Sequence, residues 1–216
     1  MMKASLLPII VLLLISACAT EKKRDANEPK ETKQAPAKAI LDTAKYLELG
    51  DDLVGETKRK ISTTLVDAME KGGVKYAAQF CNLVAYPIVD SMSRAHNARI
   101  RRVSDKPRNP KDAMDEEEQK VFAIFKAKAQ MPNAELMPIV MQHDDGTVGY
   151  YAPIKISMPT CLKCHGEVGK DIKAEDYKVL KSLYPNDVAV GYKEGDLRGM
   201  FSIRFSKAHW FYTRVR

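Results

Sequence analysis

The stretch Leu136-Met137-Pro138-Ile139-Val140-Met141-Gln142-His143-Asp144-Asp145-Gly146-Thr147-Val148-Gly149-Tyr150-Tyr151-Ala152-Pro153-Ile154-Lys155-Ile156 decides the fold. Its arms, Leu136 to Gln142 and Thr147 to Ile156, are rich in Ile, Val and Tyr, and the turn Asp144-Asp145-Gly146 lets them run antiparallel. Near the C-terminus, Met200 to Phe205 alternates apolar and polar residues as a half-buried strand does. Upstream, the periodicity is helical. Asp51 to Glu70 carries Leu53, Val54, Ile61, Leu65, Val66 and Met69 at helical spacing and stops at Gly72-Gly73. Val74 to His96 predicts a second helix with Ala77, Ala78, Cys81, Val84, Ala85, Ile88 and Met92 on one face and a kink at Pro87. Arg101 to Asp112 is polar, contains prolines and reads as a connection. Asp115-Glu116-Glu117-Glu118 opens a third helix, where the dipole favours acids, with Val121, Phe122, Ile124 and Phe125 as its buried stripe. Ala174 to Leu183 is a short helix. Helices lead, strands follow, and no βαβ alternation occurs, so the class is α+β with an antiparallel sheet rather than a doubly wound fold. No internal repeat is present.

The chain has 216 residues, which suits one domain plus a tail. It is 45% hydrophobic and 29% charged, enough apolar content to exclude wholesale disorder. The formal charge of +7 is spread among mixed signs and not gathered into basic runs, which argues against a nucleic-acid partner. Four cysteines are too few for a disulfide-built scaffold of this length.

Residues 1–17 read as an address. Met1-Met2-Lys3 is a short positive start, Leu6 to Ile15 is apolar, and Ser16-Ala17 are small, the layout of a secretory signal. The apolar run is shorter than the ~20 residues that span a bilayer. Leu14-Ile15-Ser16-Ala17-Cys18 resembles a bacterial lipobox, which makes Cys18 the lipidation site and places the mature protein on the periplasmic side of an inner or outer membrane; an ordinary cleaved signal is the alternative. Residues 18–45 read as a flexible tether, because Cys18 to Ile40 holds alternating Lys, Glu, Ala and Thr with little to bury. A coil of roughly 22 residues reaches about 25 Å. The folded domain is then 46–216.

The chemistry is carried by Cys161-Leu162-Lys163-Cys164-His165. This is C-x-x-C-H, the attachment signature of c-type haem. Two residues between the thiols let both sulfurs reach the vinyl groups on one side of the porphyrin, and the next residue carries its imidazole to the iron. Attachment of this kind occurs outside the bacterial cytoplasm, in agreement with the export signal. A structural zinc site needs more ligands, and there is no second C-x-x-C. A redox C-x-x-C belongs at a helix start in a thioredoxin-like context, absent here. A Cys161–Cys164 disulfide leaves His165 without a task. The expected cofactor is therefore one covalent haem c, bound through Cys161 and Cys164 with His165 as an axial ligand.

Cys81 then stands alone in an oxidising compartment. It is either a small apolar residue on a buried helix face or the sixth ligand of the iron, a place for which Met92, Met137, Met141, Met158, His96, His143 and His209 compete. Arg101, Arg102, Arg108 and Arg198 are candidates to pair with haem propionates; the alternative is loop scaffolding, with Ser104 and Asn109 capping turns. Tyr150, Tyr151 and Phe122 are candidates to pack on the porphyrin, set against ordinary core packing.

Arg101-Arg102-Val103-Ser104-Asp105-Lys106-Pro107-Arg108-Asn109-Pro110 followed by Glu118, together with Tyr184-Pro185-Asn186-Asp187-Val188-Ala189-Val190-Gly191-Tyr192 and Gly195-Asp196-Leu197-Arg198-Gly199, resembles the sequence blocks of the DUF3365, or Tll0287-like, haem-binding domain family. The resemblance runs from about residue 50 to the end. It implies a PAS-like antiparallel sheet with helices around a c-type haem, and bis-axial ligation by the motif histidine and a cysteine on an early helix, which here are His165 and Cys81. Val190 departs from the threonine expected in the late block, at a position expected to touch nothing in the iron site. The functions that follow are redox or ligand sensing, with a small gas ligand, or low-potential electron transfer to a redox partner protein. The alternative is a haem enzyme of peroxidase type with an open iron position, for which His143 would serve as distal acid–base group.

Overall fold

A computed structural model describes residues 41–206. The signal segment 1–17, Cys18, the tether up to residue 40 and His209 lie outside the described residues.

The first element, α1 (Thr43–Ala95), begins where the Asp42 carboxylate accepts the Lys45 amide at 3.1 Å. Residues 43–45, assigned above to the tether, are thus the first turn of a helix. The chain leaves helical geometry at Gly72 and Gly73, as the glycine pair predicts, and Gly73 takes φ +64°, ψ −158°, a conformation closed to side chains with a Cβ. Two arms result, residues 43–71 and 74–95.

The strand β1 (Ala98–Val103) follows. The reading above placed Arg101 to Val103 in a polar connection, and the structure corrects it. Ala98 and Ile100 face the core while Arg99, with Arg101 and Arg102, makes the segment look like loop. A 3₁₀ turn, Pro110–Asp112, is capped by the Asn109 side chain accepting from the Lys111 amide at 3.0 Å. Then α2 (Glu116–Ala129) opens with a capping box: Asp115 accepts from the Glu118 amide at 2.8 Å, and Glu118 accepts from the Asp115 amide at 3.0 Å.

The predicted hairpin forms as β2 (Ile139–Gln142) and β3 (Val148–Lys155). Its turn closes with the Gly146 amide donating to the His143 carbonyl at 2.9 Å and Gly146 at φ +77°. Two short helices, α3 (Pro159–His165) and α4 (Ala174–Leu183), precede β4 (Leu197–Phe205). The sheet order is β1-β4-β3-β2, every pair antiparallel, with the last strand inserted between β1 and β3. This is the α+β architecture expected.

Each face of the sheet is covered by a different helix. Tyr46, Leu53, Val89 and Met92 of α1 pack on Ile100, Tyr150, Phe201 and Ile203. The Tyr150 ring fits against α1 because residue 50 is glycine: a Cβ there would lie 2.1 Å from the ring. On the opposite face Val121, Phe122 and Phe125 of α2 pack on Val103, Tyr151 and Met200. With both faces covered, β3 is buried through its first five residues, so its sequence lacks a clean alternation.

The two faces of α2 give a stability test. Phe125 is fully buried and Ile124 is half-exposed. Phe125→Ala is expected to lower unfolding free energy by about 3–5 kcal/mol, and Ile124→Ala to change it by about 0.5 kcal/mol or less, both read from urea denaturation.

Candidate functional site

α3 presents Cys161, Cys164 and His165 at i, i+3 and i+4, hence on one helix face. The helix starts at Pro159, whose fixed φ suits a first helical position, and no disulfide joins the two cysteines. All three residues line a cavity of about 330 Å³, within the ~300–1,000 Å³ range of cofactor sites.

His165 is fixed by a loop distant in sequence. Its Nδ1 lies 2.8 Å from the Ala189 carbonyl oxygen. A carbonyl only accepts, so this bond assigns the ring proton to Nδ1 and leaves the lone pair on Nε2. The Arg198 Nε sits 3.3 Å from the same Nδ1 and acts there as a neighbouring positive charge. Burial above all, then the Arg108 and Arg198 guanidiniums, hold the ring well below the usual histidine pKa, against the opposing pull of the Ala189 bond. The imidazole is therefore neutral, the form that ligates metals.

The loop that carries Ala189 is anchored in turn. Asp187, a buried carboxylate, accepts from the Ala189 amide at 2.8 Å and from Arg108 Nε at 3.0 Å. The same arginine donates to the Cys164 carbonyl, and Lys106 Nζ donates to the Val190 carbonyl at 2.7 Å. Backbone bonds from Gly191 to Gly166 (2.8 Å) and from Tyr192 to His165 (2.9 Å) close the clamp, and the Tyr192 ring meets the imidazole edge-on at 6.3 Å. Residues 101–110 and 184–192 are thus the two jaws around the pentapeptide. Val190 itself packs with Ile172 and Leu180 against Ala78, a cavity residue, so the departure noted above lies behind the cavity wall.

The opposite wall is α1. Its first arm contributes Ile61, Leu65 and Met69, one helical stripe at i, i+4, i+8, and its second arm contributes Ala77, Ala78 and Ala85. Position 81 stands one turn from Ala77 and Ala78 and one turn from Ala85; its side chain is outside the described structure. The remaining border is polar. Arg102, Arg108 and Arg198 line it, and Tyr86 donates to Asp112 at 2.8 Å. Burial, reinforced by the Asp112 charge, raises the Tyr86 pKa, and burial also raises that of Asp112 despite Tyr86 and the arginines.

Four expected pocket contacts are not brought to this cavity. Arg101 donates to the buried Glu118 at 2.5 Å and to the Lys111 and Ala113 carbonyls, so it scaffolds the β1–α2 connection. Tyr151 and Phe122 belong to the core under α2, and Tyr150 to the core under α1, where its hydroxyl donates to Asp51. The rivals for the sixth ligand are also elsewhere. Met92 is buried against the sheet, Met137, Met141 and Met158 are exposed, and His96 pairs with Glu56 at 3.4 Å on the surface. His143 is held between Glu117 and Tyr151, at 3.1 Å from each, on the hairpin; it is a satisfied core histidine and no distal acid–base group of this cavity. Met69 was named above only among the residues at helical spacing, although its i, i+4 alignment with Ile61 and Leu65 was readable.

A planar macrocycle tethered through two thioethers requires two thiols and an imidazole lone pair on one wall, apolar contact on the other, and cations for its carboxylates. Cys161, Cys164, His165, the α1 stripe, Arg102 and Arg198 meet those requirements together.

An antiparallel sheet with helices on both faces and a histidine-bearing cavity lined by α1 and α3 defines an α+β architecture with a candidate site. The chain belongs to the Tll0287-like family, whose model matches residues 22–206. Among solved structures, the crystal structure of the cyanobacterial heme-protein Tll0287 is similar in fold, with TM-score 0.52 and 23% identity, covering 74% of this chain and 95% of that one. No curated protein matches the chain.

The clamp is testable. Arg108→Ala leaves the Asp187 carboxylate buried without its cation and is expected to cost about 3–5 kcal/mol of unfolding free energy. Combined with Asp187→Ala it is expected to cost less than the sum of the two single changes, by about 0.5–3 kcal/mol, as measured by chemical denaturation.

Proposed function

We propose that this chain is an exported, lipid-anchored protein carrying one covalently attached haem c and acting as a redox or ligand sensor or a low-potential electron carrier. Lipid would be attached at Cys18, the porphyrin at Cys161 and Cys164, and the iron would be held by His165 and Cys81. The observation that carries the reading is the His165 Nδ1–Ala189 bond, which leaves Nε2 available in a cavity that both motif cysteines line. The heme-protein identity of the solved relative supports it.

When bound, the haem supplies a one-electron redox centre and a coordination position for a small ligand. The protein's own groups do the rest. Ala189 orients His165 and raises its basicity, as second-shell acceptors do for metal-bound histidines. Arg102 and Arg198 at the cavity border would pair with the propionates by charge-assisted bonds, and Ile61 and Leu65 would exclude water from the α1 side. A Cys81 thiolate, being anionic, favours ferric iron and places the potential below that of a His/Met site.

Absorption spectra of the ferric and ferrous protein test this. Cys81→Ala is expected to change the ferric spectrum and raise the midpoint potential, by about 59 mV for each tenfold of ferric preference the thiolate provides. An unchanged ferric spectrum rejects Cys81 as ligand. Carbon monoxide binding by the reduced protein speaks for sensing; fast electron exchange with both ligands retained speaks for transfer.

A further inference from the structure

Met69 is a cavity residue that the haem reading leaves without a task. Among the described methionines, Met92 and Met200 are buried in the two cores, Met114 packs beside the α2 core, Met131, Met137, Met141 and Met158 are exposed, and Met69 lines the cavity. It ends the Ile61–Leu65–Met69 stripe, three residues before the helix break at Gly72-Gly73. Position 81 stands on the second arm, on the same helical register as Ala77, Ala78 and Ala85. Each arm of α1 thus carries one sulfur residue on the helical register of its cavity-lining residues: Met69 on the first arm and position 81 on the second. Their chemistries are complementary: an anionic thiolate favours ferric iron, whereas a neutral thioether raises the potential by favouring ferrous iron. The methionine side chain, unbranched with three rotatable bonds, adapts its reach readily.

We infer that Met69 is the alternate axial ligand of this site, replacing Cys81 when the iron is reduced; the inference rests on the haem reading above. One electron from an external one-electron donor converts Fe(III) to Fe(II). The Fe–Sγ bond to Cys81 breaks with its electron pair staying on sulfur, which takes one proton from solvent. The Met69 Sδ lone pair then fills the vacated position, and methionine loses and gains no atoms. The site thus changes its ligand with its redox state and stays six-coordinate, so a gas ligand must compete with Met69.

The test uses full-length holo-protein as wild type, Met69→Leu, Cys81→Ala and the double variant, with dithionite as the electron donor. Leucine is close in volume and keeps the packing. Wild type and Met69→Leu are expected to share one ferric spectrum. In the ferrous state wild type is expected to be low-spin and six-coordinate, and Met69→Leu five-coordinate and high-spin, with carbon monoxide association at least tenfold faster. A tenfold ferrous preference for Met69 corresponds to a midpoint potential lower by about 59 mV in Met69→Leu. Ferric Cys81→Ala is expected to show a thioether-to-iron charge-transfer band that the double variant lacks. Ferrous spectra and carbon monoxide rates identical in wild type and Met69→Leu overturn the exchange. So does a ferric spectrum altered by Met69→Leu, which would make Met69 the resident ligand. An unaltered ferric spectrum in Cys81→Ala marks instead a failure of the His165/Cys81 assignment, and the exchange falls with it.

Discussion

One hydrogen bond organises the site: His165 Nδ1 to the Ala189 carbonyl, 2.8 Å. An imidazole has one proton when neutral, so this contact decides which nitrogen is available to anything else in the cavity. Burial and two guanidiniums disfavour the charged ring, and the carbonyl then selects between the tautomers that remain. The carbonyl is useful only because its loop is rigid. Asp187 holds that loop from inside and Arg108 neutralises Asp187, while the same arginine reaches the Cys164 carbonyl on the pentapeptide. Orientation of the ring, position of the thiol-bearing helix and placement of the loop are thereby one coupled network.

The sheet provides the frame that this network leans on. β4, last in sequence, is central in space, so Arg198 at its start is carried to the cavity border next to Ser104, whose hydroxyl donates to the Arg198 carbonyl at 2.8 Å. The break in α1 performs a different service. A continuous helix could lay one stripe along the sheet and then run past its end. By turning at Gly72-Gly73 the helix packs Leu53 and Val54 on the sheet and still sets Leu65, Met69, Ala77 and Ala78 around the cavity. Small residues on the second arm keep the space open; Leu or Phe at 77 or 78 would fill it.

Local signals foretold most of the architecture. The hairpin was legible because Asp-Asp-Gly between two apolar arms has few other uses, and α2 because its acids stand at the dipole end. The glycine pair located the break. What failed was β1, where Arg99, Arg101 and Arg102 outweighed the buried Ala98 and Ile100; their partners, Arg204 and Glu118 among them, are remote in sequence and invisible to a window. At the site, the pentapeptide was readable from spacing alone. Which arginines face the cavity was not, since Arg101 and Arg102 are neighbours and only strand alternation sends one to Glu118 and the other to the cavity. Asp187 and Ala189 lie in the late sequence block, but their tasks were not legible there: one acts as an anchor and the other through its backbone, and neither role follows from residue type.

The proposed covalent attachment of a haem underlies the functional reading, and mass spectrometry of the protein after acid–acetone extraction tests it most directly. A porphyrin joined through Cys161 and Cys164 stays on the unfolded chain, and the proteolytic peptide spanning residues 161–165 carries its mass. Complete extraction of pigment, with both cysteines then open to alkylation, would contradict the account.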